Sequence, residues 1–220
     1  MRINRFWLRT MGLFGVLGGL ILFAGDMLFY YDSASIDLKL NMGNVSDLRI
    51  IVSGITALFA TWFYMLGVVP VFYAFKPATA AVRNAVVLCF SAIFIAYGIV
   101  HGAYVAIAAT SKVAVQNQLD IEVVTALASH VNHILRYFIY PFFALLSYLF
   151  ISQVWKRKTL YSRWMILFFP LVPFLFQGLI SRALSGPAWI VFSGGFFNLI
   201  LVLFFMASTI NLWNNQEKSE

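Results

Sequence analysis

Charge is the scarcest property of this 220-residue chain: 10% of its residues are Asp, Glu, Lys or Arg, against 62% hydrophobic. A soluble domain carries about 25% charged and roughly 45–50% apolar residues. A chain this poor in charge would expose large apolar patches to water, which excludes a soluble globular protein. Cysteine is nearly absent as well. Cys89 stands alone in an apolar run and can make no internal disulfide. No polar stretch exceeds about twenty residues, so no soluble appendage is expected beside the membrane part. The net charge of +7 comes from short basic clusters between apolar runs, which suit membrane loops and not nucleic-acid binding.

What is present is hydrophobic length. Six stretches could cross a hydrocarbon core of about 30 Å at 1.5 Å per residue: 9–31, 50–75, 84–109, 125–154, 163–182 and 187–213. The expected architecture is therefore all-α, a single polytopic membrane domain over 1–220 with six transmembrane helices. Short connections make consecutive helices antiparallel neighbours. The start of the chain imitates a signal peptide, with Arg2, Arg5 and Arg9 before an apolar run. Leu22 stands where a cleavage site needs a small residue and the run continues to Tyr31, so a retained first helix is expected.

Lysine and arginine set the orientation. With the N-terminus in the cytoplasm, Arg2, Arg5, Arg9, Lys76, Arg83, Lys156, Arg157, Lys158, Arg163 and Lys218 lie inside. Lys39, Arg49, Lys112 and Arg182 lie outside. Both termini are therefore expected to be cytoplasmic, in a plasma or inner cell membrane. The polar tail beginning at Asn214 is expected to fray. In the first outer loop, polar and apolar residues alternate from Ile36 to Met42, which suits a short strand or an interfacial segment over the helix mouths.

Ionisable groups inside lipid are costly and turn toward a bundle interior. Asp26, His101, His130, His133 and Arg136 fall in such positions, within roughly 10 Å of the outer boundary at the helical rise. At 100° per residue, Asp26 shares a face with Gly12, Gly15, Gly19 and Tyr30, and His101 shares one with Tyr97 and Tyr104. His130 and His133 share one with Tyr137 and Tyr140. Ser53, Ala60, Tyr64 and Gly67 align on the second helix, Gln177 on the fifth and Asn198 on the sixth. The convergence predicts one polar cavity opening outward, lined by these tyrosines with Gln177 and Asn198 as ligand-binding groups.

Several chemistries suit that set. Three histidines and a water would make an open zinc site, with His101, His130 and His133 as ligands and Asp26 as base or orienter. Such a site would hydrolyse a lipid-like ester or amide, with Arg136 steadying the anion. In these ingredients the chain resembles the seven-helix membrane hydrolases of the alkaline ceramidase and adiponectin-receptor type, which gather three histidines and an aspartate around zinc. The likeness is confined to Asp26, His101, His130 and His133. The i,i+3 pair on the fourth span departs from that family's i,i+4 pair on its last. A second chemistry is a non-enzymatic receptor or transporter in which Arg136 binds the acid group of an anionic or amphiphilic small molecule. A third is a single b-type haem between His101 and His130 or His133. Membrane lipid and a second copy of the chain are the expected partners. A structural role, with the histidines bonding core tyrosines and Arg136 paired with Asp26, stands beside all three.

Overall fold

A computed structural model describes residues 4–32 and 35–215. Arg2, Lys218 and most of the polar tail lie outside the described residues. Helices begin where short polar side chains satisfy the first free N–H groups. The Asn4 side chain accepts from Phe6 N to start α1 (Arg5–Tyr30), and Asp37 accepts from Lys39 N and Leu40 N to start α2 (Leu38–Asn44). Ser46 opens α3 (Asp47–Ala74), Thr79 opens α4 (Ala80–Gln116) and Asp120 opens α5 (Ile121–Tyr137). α6 (Tyr140–Trp155) follows almost without a gap, and α9 (Gly186–Asn215) ends the described chain. No strand occurs among the described residues. Of the two expectations for the alternating segment, a short strand or an interfacial segment, the strand is not formed: Leu38–Asn44 is the helix α2, because the Asp37 cap and the fully buried Asn41 favour a turn there. The Asn41 amide donates to Tyr30 O and Ser35 O.

Among the described residues, five helical runs are long and apolar enough to cross a membrane: Arg5–Tyr30, Asp47–Ala74, Ala80–Gln116, Ile121–Trp155 and Gly186–Trp213. The stretch 163–182, expected as the fifth span, is a 3-10 turn (Arg163–Phe168) followed by α7 (Leu171–Leu175) and α8 (Gln177–Ala183). Proline is the cause. Pro170 forces Phe169 out of the helical region, to φ −66° and ψ 134°. Pro170 and Pro173 also lack the N–H groups that a helical ladder would use.

This broken segment nevertheless runs beside α9 in antiparallel order. The Tyr161 and Ser208 hydroxyls bond at 2.6 Å, Phe169 meets Phe204, Phe174 meets Phe197, and Trp189 Nε1 donates to Ser181 Oγ at 3.1 Å. Arg9 lies over the Trp213 ring at 3.7 Å, so the N-terminal end of α1 and the C-terminal end of α9 share one end of the bundle. α1 packs on α3 and α9, while α4 packs on α3, α5 and α6. The half of the bundle nearer the termini is filled by Phe75, Phe90, Phe150, Phe169 and Phe204, all buried, with Phe150 and Phe169 stacked at 4.5 Å.

The opposite end is tied by polar bonds. Lys39 pairs with Glu122, joining α2 to α5, and Lys112 pairs with Asp47, joining α4 to α3. Arg49 closes the end of α1, donating to Leu28 O at 2.9 Å, Met27 O at 3.1 Å and Tyr31 O at 3.2 Å. Met27 O also accepts the last backbone bond of the helix, from Tyr31 N at 3.1 Å, and all three carbonyls lie at the negative end of the helix dipole. Arg49→Ala should therefore lower thermal stability by about 1–2 kcal/mol. Arg49→Lys should recover only part of that, because one ammonium cannot reproduce the guanidinium fork. Equal melting of the lysine variant and wild type in detergent would refute the fork.

Candidate functional site

Asp26 points inward because its α1 face is built of glycines that let neighbouring helices close around it. A Cβ at Gly25 would collide with Thr56 and stand 3.5 Å from His101 Nε2. Around Asp26 runs a buried chain of side chains from four helices. Asn198 Nδ2 donates to Asp26 Oδ2 at 2.6 Å, and the Tyr64 hydroxyl donates to Asn198 Oδ1 at 3.2 Å. On the other side, His101 Nδ1 stands 3.2 Å from Asp26 Oδ1. His101 Nε2 lies 3.1 Å from both Ser53 Oγ and Ser53 O, and Ser53 Oγ donates to Gly25 O at 2.7 Å.

The donors and acceptors settle the proton count. The carbonyl of Ser53 can only accept, and the single Ser53 hydroxyl proton is committed to Gly25 O, so His101 Nε2 carries a hydrogen. The 3.2 Å contact between Nδ1 and Oδ1 then needs one further proton, held by either atom. The Asp26–His101 unit is neutral in both placements, which suits its burial. Ser53, His101 and Asp26 share the connectivity of a nucleophilic triad. However, Ser53 is fully buried, outside the cavity lining, and donates away from the histidine. The arrangement holds helices together and does not activate a nucleophile.

Asp26, His101 and Asn198 form one wall of a cavity of about 460 Å³, within the range of about 300–1,000 Å³ usual for small-molecule sites. Tyr97, Tyr104, Arg136, Tyr140 and Gln177 also line it. Apolar surface comes from Leu22, Phe143, Leu171, Phe174, Phe196 and Phe197. Leu38 reaches it from α2, which covers the end of the bundle away from the termini. Beyond Asn198 the way is closed by Tyr64, stacked on Phe94 at 4.7 Å and on Phe205 at 5.9 Å. Arg136 is in no ion pair among the described residues and donates a long 3.5 Å bond to the Tyr104 hydroxyl. The expected alternative of an Asp26–Arg136 pair is not formed.

His130, His133 and Tyr137 are exposed and do not line the cavity. On α5 the buried polar positions are Thr125 and Asn132, seven apart on one face, with Asn132 Nδ2 donating to Val100 O at 3.0 Å. At 100° per residue His133 turns a quarter circle from Asn132 and His130 lies nearly opposite it. The three histidines are thus not brought together. Among the described residues, no three of His, Cys, Asp and Glu stand where they could hold a metal ion. Both ring nitrogens of His101 are engaged, so this donor set does not fit zinc or a haem iron as placed. Asn132 belongs to the polar framework without having been expected there, and Ser53 and Tyr64 belong to it without having been given a role. Ser53 and Tyr64 lie on the aligned face of the second helix, which was the available signal.

No curated protein and no solved structure matches this chain. The profile of a family of unknown function, DUF6796, matches residues 1–215. The apolar helices, the neutral Asp26–His101 unit and the arginine-lined cavity are accordingly features of an integral membrane protein that belongs to the DUF6796 family.

Proposed function

We propose that this protein is a membrane-embedded receptor or carrier that binds an anionic amphiphile in the cavity, with the acid group on Arg136. The observation that carries this reading is the Arg136 guanidinium, outside every described ion pair, in a wall otherwise rich in aromatic side chains. A planar fork of N–H donors suits a carboxylate or phosphate. The Tyr104 and Tyr140 hydroxyls and the Gln177 amide add polar partners, while Phe143, Phe174 and Phe197 offer surface to a chain. The neutral Asp26–His101 unit does not repel an anion. The packed rings beyond Tyr64 favour a binding pocket over a channel.

The same reading has the chain crossing the bilayer six times, with the broken 161–185 segment as the fifth passage and both termini cytoplasmic. Arg5, Arg9, Lys76, Arg83, Lys156, Arg157, Lys158 and Arg163 gather at the end of the termini, against Lys39, Arg49, Lys112 and Arg182 at the other. That bias supports a cavity opening to the outer side.

Purified protein in maltoside micelles is expected to bind dodecyl phosphate or dodecanoate and not dodecyltrimethylammonium. Arg136→Gln should weaken the anion about 10- to 100-fold, the value of a charge-assisted bond. Arg136→Lys should lose less. Equal affinity in the glutamine variant, or binding of the cation as tight as that of the anion, would reject this function.

A further inference from the structure

A second, smaller cavity of about 180 Å³ lies at the junction of α4 with α5 and α6. Its walls are apolar: Ala92, Ala96 and Ile99 from α4 face Leu135, Phe138 and Phe142. Two residues, Val100 and Ile139, line both this groove and the arginine cavity. One layer of side chains therefore separates the two spaces.

That layer sits where the helical ladder is weakest. Pro141 has no N–H to offer the Tyr137 carbonyl, and its ring crowds that carbonyl, so α5 and α6 part at Phe138 and Ile139. The turn is held by the shorter-range bond from Ile139 N to Arg136 O at 3.1 Å and by a long one from Phe138 N to Ile134 O at 3.3 Å. Arg136 is thus three residues, one turn, from Ile139. Outside the layer, Phe138 is 73% exposed and Phe142 48%, so the groove opens on the side of the bundle that lipid would cover.

Resting on the Arg136 reading, we propose that the ligand is a long-chain monoacyl anion drawn from the bilayer, whose tail passes between Val100 and Ile139 into this groove. The groove is the tail subsite and the Ile139 turn is the lateral entrance. An acid held at Arg136 has its chain directed along the turn toward Ile139, and the groove has no polar group that would select any other occupant. A small water-soluble anion would leave the groove unused.

The test uses the full chain in phosphatidylcholine nanodiscs and palmitate carrying a diazirine beside its terminal methyl. On illumination, cross-links are expected on residues 92–99 and 135–142, and they should disappear in Arg136→Gln. Labelling of the same residues independently of Arg136 would mean ordinary bilayer lipid in the groove and would overturn the tail subsite. So would cross-links confined to Phe174, Phe196 and their neighbours inside the cavity. Ala96→Phe, which fills the groove without touching the arginine cavity, should weaken palmitate about tenfold or more and leave octanoate unchanged. An equal effect on both acids, or on neither, counts against the groove. Octanoate that binds wild type and Arg136→Gln alike would instead overturn the Arg136 reading itself, which keeps the two failures apart.

Discussion

Asp26→Leu is expected to cost about 3–5 kcal/mol of stability, whereas Asp26→Asn should cost less than about 1 kcal/mol. The leucine removes the partner of two buried groups at once, His101 Nδ1 and the Asn198 amide. Tyr64 then keeps its bond to an asparagine whose own donor has lost its acceptor. Asparagine at position 26 repeats every bond: its carbonyl accepts from Asn198, and its amide donates to His101 Nδ1 while Nε2–H still serves Ser53 O. One amide hydrogen is left over, on the side that lines the cavity, where a water can take it.

The comparison rests on the count of protons and not on the strength of an ion pair. Because Asp26 and His101 together hold one shared proton, the asparagine amide replaces the unit with a neutral equivalent. Unfolding in mixed detergent micelles, followed by circular dichroism, measures both variants. A loss for Asp26→Asn as large as that for Asp26→Leu would mean that the carboxylate charge itself is required, and the neutral-unit account would fail. His101→Leu should resemble Asp26→Leu, since it strands the same carboxyl group.

Most of this site was legible from residue spacing, and the exceptions have local causes. Asp26, His101 and Asn198 are rare polar residues on long uninterrupted helices, where 100° per residue places a side chain reliably. Tyr97 and Tyr104 follow His101 for the same reason. The fourth span misled because its most conspicuous polar residues, His130 and His133, are not its inward ones. The packed face is marked by Thr125 and Asn132 and continues at seven-residue spacing through Ile139 and Leu146, all four buried. Taking the histidine face as the inward one thus turns the helix the wrong way. Tyr140 and Arg136 still line the cavity, because they lie next to and one turn before the buried Ile139, which lines it too. The segment 163–182 shows the same limit: its hydropathy reads as a span, but two prolines divide it into short turns. Hydropathy reports what can lie in lipid, and backbone hydrogen bonding decides whether it does so as one helix.

The glycines of α1 and α3 predict the second large effect, with opposite signs at two positions. Gly12 and Gly19 face α9, Gly18 and Gly25 face α3, and Gly15 lies between them against Gly67. A Cβ on Gly67 would stand 2.7 Å from Gly15 Cα and 2.7 Å from the Phe205 ring. The first neighbour is backbone and cannot turn aside. The second is 1% exposed and packed against Tyr64 and Phe94, so it cannot yield cheaply. Gly67→Leu should therefore cost about 3 kcal/mol or more, and Gly67→Ala about 1–3 kcal/mol. Gly102 has no atom within 4 Å of its would-be Cβ and lies inside α4, so Gly102→Ala should stabilise by about 0.5–1 kcal/mol through the helical preference of alanine. The same micellar unfolding assay decides the signs. A stabilising Gly67→Ala would show that α1 and α3 are not in backbone contact. The consequence reaches the site, because α1 also carries Asp26. A displacement of α1 that makes room for a Cβ at Gly67 would shift Asp26 against Asn198, with which it shares a 2.6 Å bond. Gly67→Ala should then weaken dodecanoate binding although Gly67 touches no part of the cavity, while Gly102→Ala leaves that binding unchanged.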